Sequence, residues 1–214
     1  MYRESLAHES HQNTHQQTAK PRKSKNRKHA SKKHTYTYQG DTYNVYAGYQ
    51  ASKGLYTPML KAILDVLYLA RESWGRVLVI RFDLSHKGLH TTDSKHVSNF
   101  IKNLKRKLER KYNTKSHYVW AREYGAKEGG QHYHFALFLD GNKVKSSYKV
   151  LEIAEATWAY TLHIPKNPYY VIDTQESMQE PVYRLSYLAK VLTKGHREPT
   201  KHDYDRSQLR RKNK

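Results

Sequence analysis

Two β-forming segments joined by a short glycine-rich connection constrain the fold of this chain more than any other feature. Residues 117–124 are rich in aromatic and β-branched side chains, and the run from Gln131 to Leu139 is also strongly β-forming. Residues 125–130 between them hold three glycines, so the two segments predict an antiparallel hairpin. If 126–129 form a four-residue loop, Glu123 pairs with His132.

The second segment carries a His-x-His pair. Side chains alternate along a strand, so His132 and His134 lie on one face, and the hairpin register places Glu123 on that face too. Two imidazoles and one carboxylate leave coordination positions open for water and substrate, which suits Mg²⁺, Mn²⁺ or Zn²⁺. The alternative is an ordinary hydrogen-bonded histidine pair on a polar sheet face.

Hydrophobic periodicity predicts helices and strands on both sides of the hairpin. The predicted helices span about 57–74, 93–112, 148–163 and 181–193, and further strands span 77–84 and 169–172. Thr57 and Pro58 are a good N-cap and first-turn pair, and Gly75 ends the first helix. The order of elements indicates an α+β protein, with a mostly antiparallel central sheet and helices on one or both faces.

Composition divides the chain into four parts. Residues 1–35 are polar and basic with almost no aliphatic side chains, which predicts a disordered arm. In the tyrosine-rich flank at 36–56, packing against the domain is favoured over stacking on bases. The main folded domain is expected at 57–195, followed by a basic tail at 196–214. A chain of 214 residues with 37% hydrophobic residues supports one sizeable core.

The chain is strongly basic. Lysine and arginine total 39 against 19 acidic residues, a formal net charge of +20. Phosphate neutralisation and counterion release therefore predict a polyanionic partner. The outer face of the helix at 93–112 is either a solvated face or a surface that follows phosphates. Its cations are Lys102, Lys105, Arg106, Lys107, Arg110 and Lys111.

The chain has no cysteine, which excludes disulfides and Cys-ligated zinc and fits a reducing compartment. No apolar stretch approaches the roughly 20 residues that span a bilayer. The polar N-terminus lacks the apolar region of a signal peptide. We therefore expect a cytoplasmic protein with no membrane partner.

The last predicted helix combines a buried stripe with a reactive face. The stripe consists of Leu185, Leu188, Ala189 and Leu192, and the opposite side carries Tyr183, Tyr187, Lys190 and Lys194. A phenol has a pKa near 10, and a cation one turn away favours the phenolate or donates to phosphate oxygens. Together with the predicted metal ligands, these are the parts of a tyrosine transesterase. The alternative is that the tyrosines cover another layer or lie at the surface.

The ordered motifs resemble a known superfamily. His132-Tyr133-His134 looks like the HUH motif, and Tyr183-x-x-x-Tyr187-x-x-Lys190 looks like the tyrosine motif, of HUH endonucleases that initiate rolling-circle replication. Four further segments extend this resemblance: residues 120–124 (WAREY), 129–139 (GGQHYHFALFL), 163–168 (HIPKNP) and 183–190 (YRLSYLAK) with Thr193-Lys194. These segments resemble inovirus gene-2-like replication proteins, which include cryptic-prophage proteins of the YagK/YfjJ type. The resemblance covers about residues 60–195.

The resemblance implies an HUH endonuclease-like domain that nicks single-stranded or extruded origin DNA with Mg²⁺ or Mn²⁺ in a bacterial host. Tyr187 would take the 5′ phosphate covalently and free a 3′-OH to prime synthesis. Tyr183 would be a second nucleophile or a packing aromatic. Asp83 could replace Glu123 as third metal ligand. Because the tail after Lys194 has no helicase-like segment, a host helicase and polymerase would be further partners.

Other functions compatible with the sequence differ in chemistry. A mobilisation relaxase or single-strand transposase would use the same motifs. A non-catalytic basic DNA- or RNA-binding protein of prophage origin would explain the charge, but not the tyrosines and lysine opposite the apolar stripe. A zinc-dependent hydrolase fits less well, since no separate general base is evident.

Overall fold

A computed structural model of the protein describes residues 29–52, 54–86, 94–124, 131–191 and 203–208. The helices are α1 (Thr57–Trp74), α2 (Lys95–Tyr112), α3 (Tyr148–Glu155) and α4 (Gln179–Ser186). The strands are β1 (Ala30–Ser31), β2 (Thr35–Tyr38), β3 (Asp41–Asn44), β4 (Leu55–Tyr56), β5 (Val77–His86), β6 (Ser116–Tyr124), β7 (Gln131–Asp140), β8 (Thr161–His163), β9 (Tyr169–Ile172) and β10 (Tyr204–Arg206). In the described parts of the chain, no helix is both long and apolar enough to cross a bilayer.

A six-stranded antiparallel sheet forms the centre of the molecule. Its order is β10-β6-β7-β5-β8, and β9 pairs with the other half of the β5 edge. Two small strand pairs, β1 with β4 and β2 with β3, lie outside this sheet. The α+β class and the mostly antiparallel sheet predicted from the sequence are confirmed.

The central hairpin has the predicted register. Glu123 of β6 pairs with His132 of β7, and Tyr124 pairs with Gln131. The connecting residues 125–130 lie outside the described residues. On its other side β7 pairs with β5, which aligns Asp83 with His134. The two histidines therefore lie on a central strand with a carboxylate-bearing strand on each side.

Helices cover both faces of the sheet. Alternate residues of β5 from Leu78 to Leu84 pack against apolar side chains of α2 and α3. Val77 and Val79 point the other way and pack with α1 and α4. The period of two in β5 thus supplies two cores, one on each side. The buried stripe of α2 consists of Val97, Phe100, Ile101, Leu104 and Leu108.

The first helix begins and ends almost as the sequence indicates. Thr57 is its first helical residue rather than its N-cap, which is Tyr56. The Thr57 hydroxyl donates to the carbonyl of His29 at 3.0 Å, so it serves the neighbouring strand pair instead of the helix. Gly75 ends the helix with φ of 70°, and its N–H donates to the carbonyl of Arg71 at 2.8 Å. Positive φ is accessible to glycine at little cost, which explains this residue at the helix end.

The third predicted helix, 148–163, is too long. It ends at Glu155, and residues 161–163 form β8, which pairs with Asp83, Leu84 and Ser85 of β5. The Trp158 indole donates to the carbonyl of Ser85 at 3.3 Å. The exposed edge of β5 gains ladder hydrogen bonds from β8, and this tertiary pairing overrides the local helical spacing of Leu162.

The last predicted helix, 181–193, is also shorter than expected. It begins at Gln179, tightens into a 3-10 turn at Tyr187–Ala189, and gives way to extended backbone at Lys190. Lys190 makes an antiparallel bridge with Leu55, and the N–H of Val191 donates to the carbonyl of Gly54 at 3.0 Å. Residues 192–193 of the prediction lie outside the described residues.

More of the two flanking segments is folded onto the domain than the sequence predicts. Residues from Ala30 onward, inside the predicted disordered arm, form β1 and begin β2. Within the predicted basic tail, β10 pairs with β6. The tyrosine-rich flank packs as expected: Tyr43 is fully buried, and its hydroxyl lies 2.6 Å from that of Tyr68. The remainder of the arm and of the tail lies outside the described residues.

His117 couples stability to pH. Its ring packs against Trp74 with 5.2 Å between centroids. Burial, reinforced by the charges of Lys105 and Lys115, lowers the pKa of His117 from 6.5 to about 4. Between these values the unfolded chain binds a proton that the folded chain does not, so stability falls as the pH falls through this window. We expect the free energy of unfolding to decrease by about 1–2 kcal/mol on this account between pH 7 and pH 4.5, allowing for partial exposure.

Urea unfolding at a series of pH values checks this expectation. Between pH 7 and pH 4.5 the free energy of unfolding should fall more in the wild type than in His117→Gln, by the stated amount, because glutamine has no proton to gain. His29→Gln, at an exposed position, should keep the wild-type slope. Parallel curves for the wild type and His117→Gln would contradict the role of His117.

Candidate active site

One face of the central sheet changes from apolar to polar at the same level in three adjacent strands. Val77 and Val79 of β5 lie in the core between the sheet and α1. Further along the same face, β5 presents Arg81, Asp83 and Ser85. The register aligns this polar half with the histidines of β7 and with Glu123 of β6. The polar cluster therefore lies at one end of the sheet, directly beyond the core.

His134 is the centre of this cluster. Its Nδ1 lies 2.8 Å from Asp83 Oδ1, and its Nε2 lies 3.1 Å from Glu123 Oε2. The two carboxylates approach from the strands on either side of β7. One carboxylate faces each ring nitrogen, which fixes the ring plane.

The tyrosine motif reaches the same carboxylate. Lys190 Nζ lies 3.0 Å from Glu123 Oε2, and it donates to the hydroxyl of Tyr187 at 2.6 Å. The Lys190 side chain is only 4% exposed and that of Glu123 only 9%. Both sequence-predicted residues therefore converge on the His-x-His strand.

Aromatic and cationic groups surround the ring of Tyr187. The His134 ring meets it edge-on with 5.6 Å between centroids, and the Tyr46 ring does so at 5.2 Å. The guanidinium carbon of Arg81 lies 5.8 Å from the Tyr187 centroid, within the range of a cation–π contact. These contacts hold the ring in place while its hydroxyl lies beside Lys190.

The two histidines differ in electrostatics. Burial by itself lowers the pKa of His134, but the hydrogen bonds to Asp83 and Glu123 outweigh it and raise the pKa above its usual value. Burial and the neighbouring rings of His134 and His163 lower the pKa of His132. The same cluster therefore shifts the pKa values of the two imidazoles in opposite directions, upward for His134 and downward for His132.

Three residues of this site were not predicted from the sequence. His163 of β8 pairs with Asp83 and adds a third imidazole near His132. Arg81 and Tyr46 contact the ring of Tyr187 from a central strand and from the segment after β3. Arg81 lies two residues before Asp83 on the same strand face, a signal that the sequence contains. Neither β8 nor the position of Tyr46 follows from local periodicity.

Tyr183 is connected to Tyr187 through the ring of Tyr46. Its ring meets Tyr46 edge-on at 6.2 Å, and the residue is 37% exposed. Tyr46 thus lies between the two motif tyrosines. It is also tied to α4, because its N–H donates to the Ser186 hydroxyl at 2.7 Å. Lys194, the last residue of the predicted reactive face, lies outside the described residues.

The donor set suits a divalent cation, although the described residues contain no group of three or more acidic or histidine side chains in a geometry ready to hold one. His134 Nε2 and Glu123 Oε2 are 3.1 Å apart, close to the roughly 3.0 Å between neighbouring ligands of an octahedral cation bound at about 2.1 Å. Asp83 binds the other ring nitrogen, as carboxylates that orient metal-bound histidines do. Between the two carboxylates considered from the sequence, this geometry favours Glu123 as the ligand and Asp83 as the orienting group.

Lys190→Met tests the shared carboxylate. The change leaves the buried Glu123 carboxylate with His134 but without its ammonium partner, and we expect a loss of about 2–3 kcal/mol in the free energy of unfolding. Lys102→Met, on the exposed face of α2, should change it by less than about 0.5 kcal/mol. Adding Glu123→Gln to Lys190→Met should recover part of the loss. Equal urea midpoints for Lys190→Met and the wild type would contradict the ion pair.

Comparisons with known proteins identify the family of the chain. The family model of the YagK/YfjJ C-terminal domain matches residues 38–151. This range contains Asp83, Glu123 and both histidines of β7, and it ends before α4. No curated protein and no solved structure matches the chain. Because the match covers more than half of its residues, the protein belongs to the YagK/YfjJ C-terminal domain family.

Proposed function

We propose that the protein is a metal-dependent, tyrosine-nucleophile enzyme that nicks and rejoins single-stranded DNA, in the manner of HUH endonucleases that initiate rolling-circle replication. The observation that carries the proposal is a continuous path of contacts from the Tyr187 hydroxyl through Lys190 and Glu123 to His134. A structural tyrosine or a structural histidine pair does not require this path.

In the proposed reaction the phenolate oxygen of Tyr187 attacks the phosphorus of a DNA phosphodiester. The new bond joins this oxygen to phosphorus, and the bond from phosphorus to the 3′ oxygen breaks. Tyr187 first gives its proton to solvent, and the Lys190 ammonium stabilises the phenolate. The leaving 3′ oxygen takes a proton from water and becomes the 3′-OH. The 5′ phosphate stays on Tyr187 until a 3′-OH reverses the step.

The other residues of the site have separate roles in the proposed reaction. His134, Glu123 and His132 would hold Mg²⁺ or Mn²⁺, which polarises the scissile phosphate and offsets its charge when bound. Asp83 orients His134 through Nδ1. Arg81, beside the Tyr187 ring, lies where a cation can neutralise a phosphate oxygen.

The outer face of α2 supports nucleic acid as the partner. In the described residues, no carboxylate forms an ion pair with Lys102, Lys105, Arg106, Arg110 or Lys111. Lys102, Arg106 and Arg110 recur at four-residue intervals, which places successive charges about 6 Å apart along the helix axis. Uncompensated cations at such a spacing favour a phosphate-binding surface over an ordinary solvated face.

The same surface favours one rival function, a non-catalytic DNA- or RNA-binding protein. That rival accounts for α2, which lies on the opposite side of the sheet from Tyr187, but it gives no reason for the path from Tyr187 to His134. A relaxase or single-strand transposase would share the chemistry and differ only in the DNA that it serves.

Formation of a covalent adduct tests the proposed chemistry. The protein is incubated with Mn²⁺ and a labelled pool of single-stranded DNA that carries a randomised segment, and SDS-resistant adducts are measured. We expect an adduct with the wild type and at least a hundredfold loss in Tyr187→Phe, because the phenol oxygen is the nucleophile.

Two tyrosine controls accompany this assay. Tyr183→Phe should keep the adduct if Tyr187 is the nucleophile, and Tyr148→Phe, at an exposed position of α3, should behave as the wild type. An undiminished adduct in Tyr187→Phe would refute Tyr187 as the sole nucleophile. Tight, salt-sensitive DNA binding without an adduct would favour the binding protein.

Metal binding provides a separate test. Excess Mn²⁺ should raise the melting temperature of the wild type, because a ligand that binds only the folded state stabilises it. The rise should disappear in Glu123→Gln and His134→Gln. In Asp83→Asn, manganese affinity should fall about 10- to 100-fold, as expected for loss of an orienting partner. His117→Gln, remote from the site, should keep the rise, and an equal rise in Glu123→Gln would contradict the ligand assignment.

A further inference from the structure

A groove opens beside the candidate active site, between the β2–β3 hairpin and the start of α4. Its volume is about 520 Å³, within the range of small-molecule sites. The lining combines the small and apolar residues Val45, Ala47 and Gly48 with the ring of Tyr183 and with polar side chains, namely His34, Asn44, Gln179 and Glu180. None of these residues takes part in the contacts between Tyr187 and His134.

The lining groups match the edge of a nucleobase better than a phosphate. Asn44 and Gln179 carry amides, which offer both donors and acceptors. The Gln179 Nε2 donates to the carbonyl of Thr42 at 3.0 Å, which leaves its side-chain oxygen as an acceptor for a ligand. Glu180 adds a carboxylate that would repel a phosphate and accept from an exocyclic amine. The half-exposed ring of Tyr183 offers a face for stacking.

The groove is close to the reacting group. The Tyr46 ring contacts Tyr183 on one side and Tyr187 on the other, at 6.2 and 5.2 Å between centroids. Glycine at position 48 leaves room for the Tyr46 ring, because a Cβ at that position would lie 2.6 Å from the Tyr46 hydroxyl. A single strand with its scissile phosphate at Tyr187 would reach the groove within about one or two nucleotides.

A second, smaller groove provides a place for the backbone of the strand. It measures about 200 Å³ and is lined by Lys32, Lys33, His34 and Tyr46 among others. His34 and Ala47 line both grooves, so the two grooves are neighbours. Exposed lysines at the rim can neutralise phosphates, while the acidic end of the larger groove cannot. Charge therefore separates a place for phosphates from a place for a base.

We propose that the larger groove binds one unstacked nucleobase of the DNA strand next to the scissile phosphate, with Tyr183 as its stacking platform. This inference rests on the proposed function and adds base recognition to it. It assigns Tyr183 to substrate binding instead of to a second nucleophilic step. The base edge meets Asn44, Gln179 and Glu180, so the groove selects among bases.

Binding without cleavage tests the groove directly. Fluorescence anisotropy compares a labelled oligo-dC strand, whose bases carry an exocyclic amine, with an abasic strand of the same length, in the absence of metal. We expect the wild type to bind the strand with bases about tenfold more tightly, because stacking requires a base. In Tyr183→Leu this ratio should fall to about one, and in Tyr183→Phe it should stay near the wild-type value. Tyr148→Leu, a 70% exposed tyrosine elsewhere, should leave it unchanged.

The outcomes separate the groove from the nicking reaction. An unchanged ratio in Tyr183→Leu would overturn the groove even if Tyr187 forms an adduct. A ratio that collapses in Tyr183→Leu supports the groove even if no adduct forms, in which case the nicking proposal fails alone. If the wild type binds the strand with bases and the abasic strand equally tightly, the assignment of the groove to a nucleobase is also overturned. Thermal unfolding of Tyr183→Leu confirms that the exposed substitution leaves the fold intact.

Base selectivity provides the second measurement. Strands recovered as adducts with the wild type and with Glu180→Gln are sequenced, since the amide replaces an acceptor-only group by one that also donates. The groove predicts that base preference changes at about one or two positions adjacent to the cut and stays the same elsewhere. Identical preferences at every position would overturn the assignment of Glu180 to base recognition.

Discussion

The carboxylate of Glu123 connects the two halves of the candidate site. One of its oxygens lies within hydrogen-bonding distance of both the His134 imidazole and the Lys190 ammonium. A carboxylate with so little exposure is costly to desolvate unless it is paired. The Lys190 ammonium and the His134 imidazole provide this pairing. The pairing connects the segment after α4 to the end of the sheet, and Tyr187 lies in the same segment.

The change from apolar to polar side chains along one sheet face explains why the site lies where it does. Close to β9 the strands pack against α1 and bury valines, and beyond this level the part of the chain that the structure describes places polar side chains on the same face. Polar groups there satisfy one another, which keeps a functional cluster next to a rigid core. Central strands fix the histidine and both carboxylates, while Tyr187 comes from the 3-10 turn that follows α4. Reacting groups on a rigid scaffold keep their separations within narrow limits.

Much of this arrangement could be predicted from the sequence where local rules decide it. The glycine-rich connection and the alternation of side chains were enough to align Glu123 with His132, and helical spacing placed Tyr187 and Lys190 near each other. Non-local pairing was beyond such rules. The alignment of Asp83 with His134 depends on strand order, and β8 replaced a predicted helix because the β5 edge needed a partner. Likewise, the change to extended backbone at Lys190, after α4 and its 3-10 turn, coincides with a bridge to Leu55, a residue far away in the sequence.

That bridge has a consequence for the order in which the molecule assembles. The backbone of Lys190 and Val191 is held by Gly54 and Leu55, and β4 is held in turn by β1 near the other end of the described chain. Contacts with such large sequence separation are entropically expensive and form late in folding. The hairpin with the histidines, in contrast, is local. In a newly made chain the His-x-His hairpin would therefore form before Tyr187 is in place, and Tyr187 would reach the histidines only once the segments around β1 and Lys190 have come together.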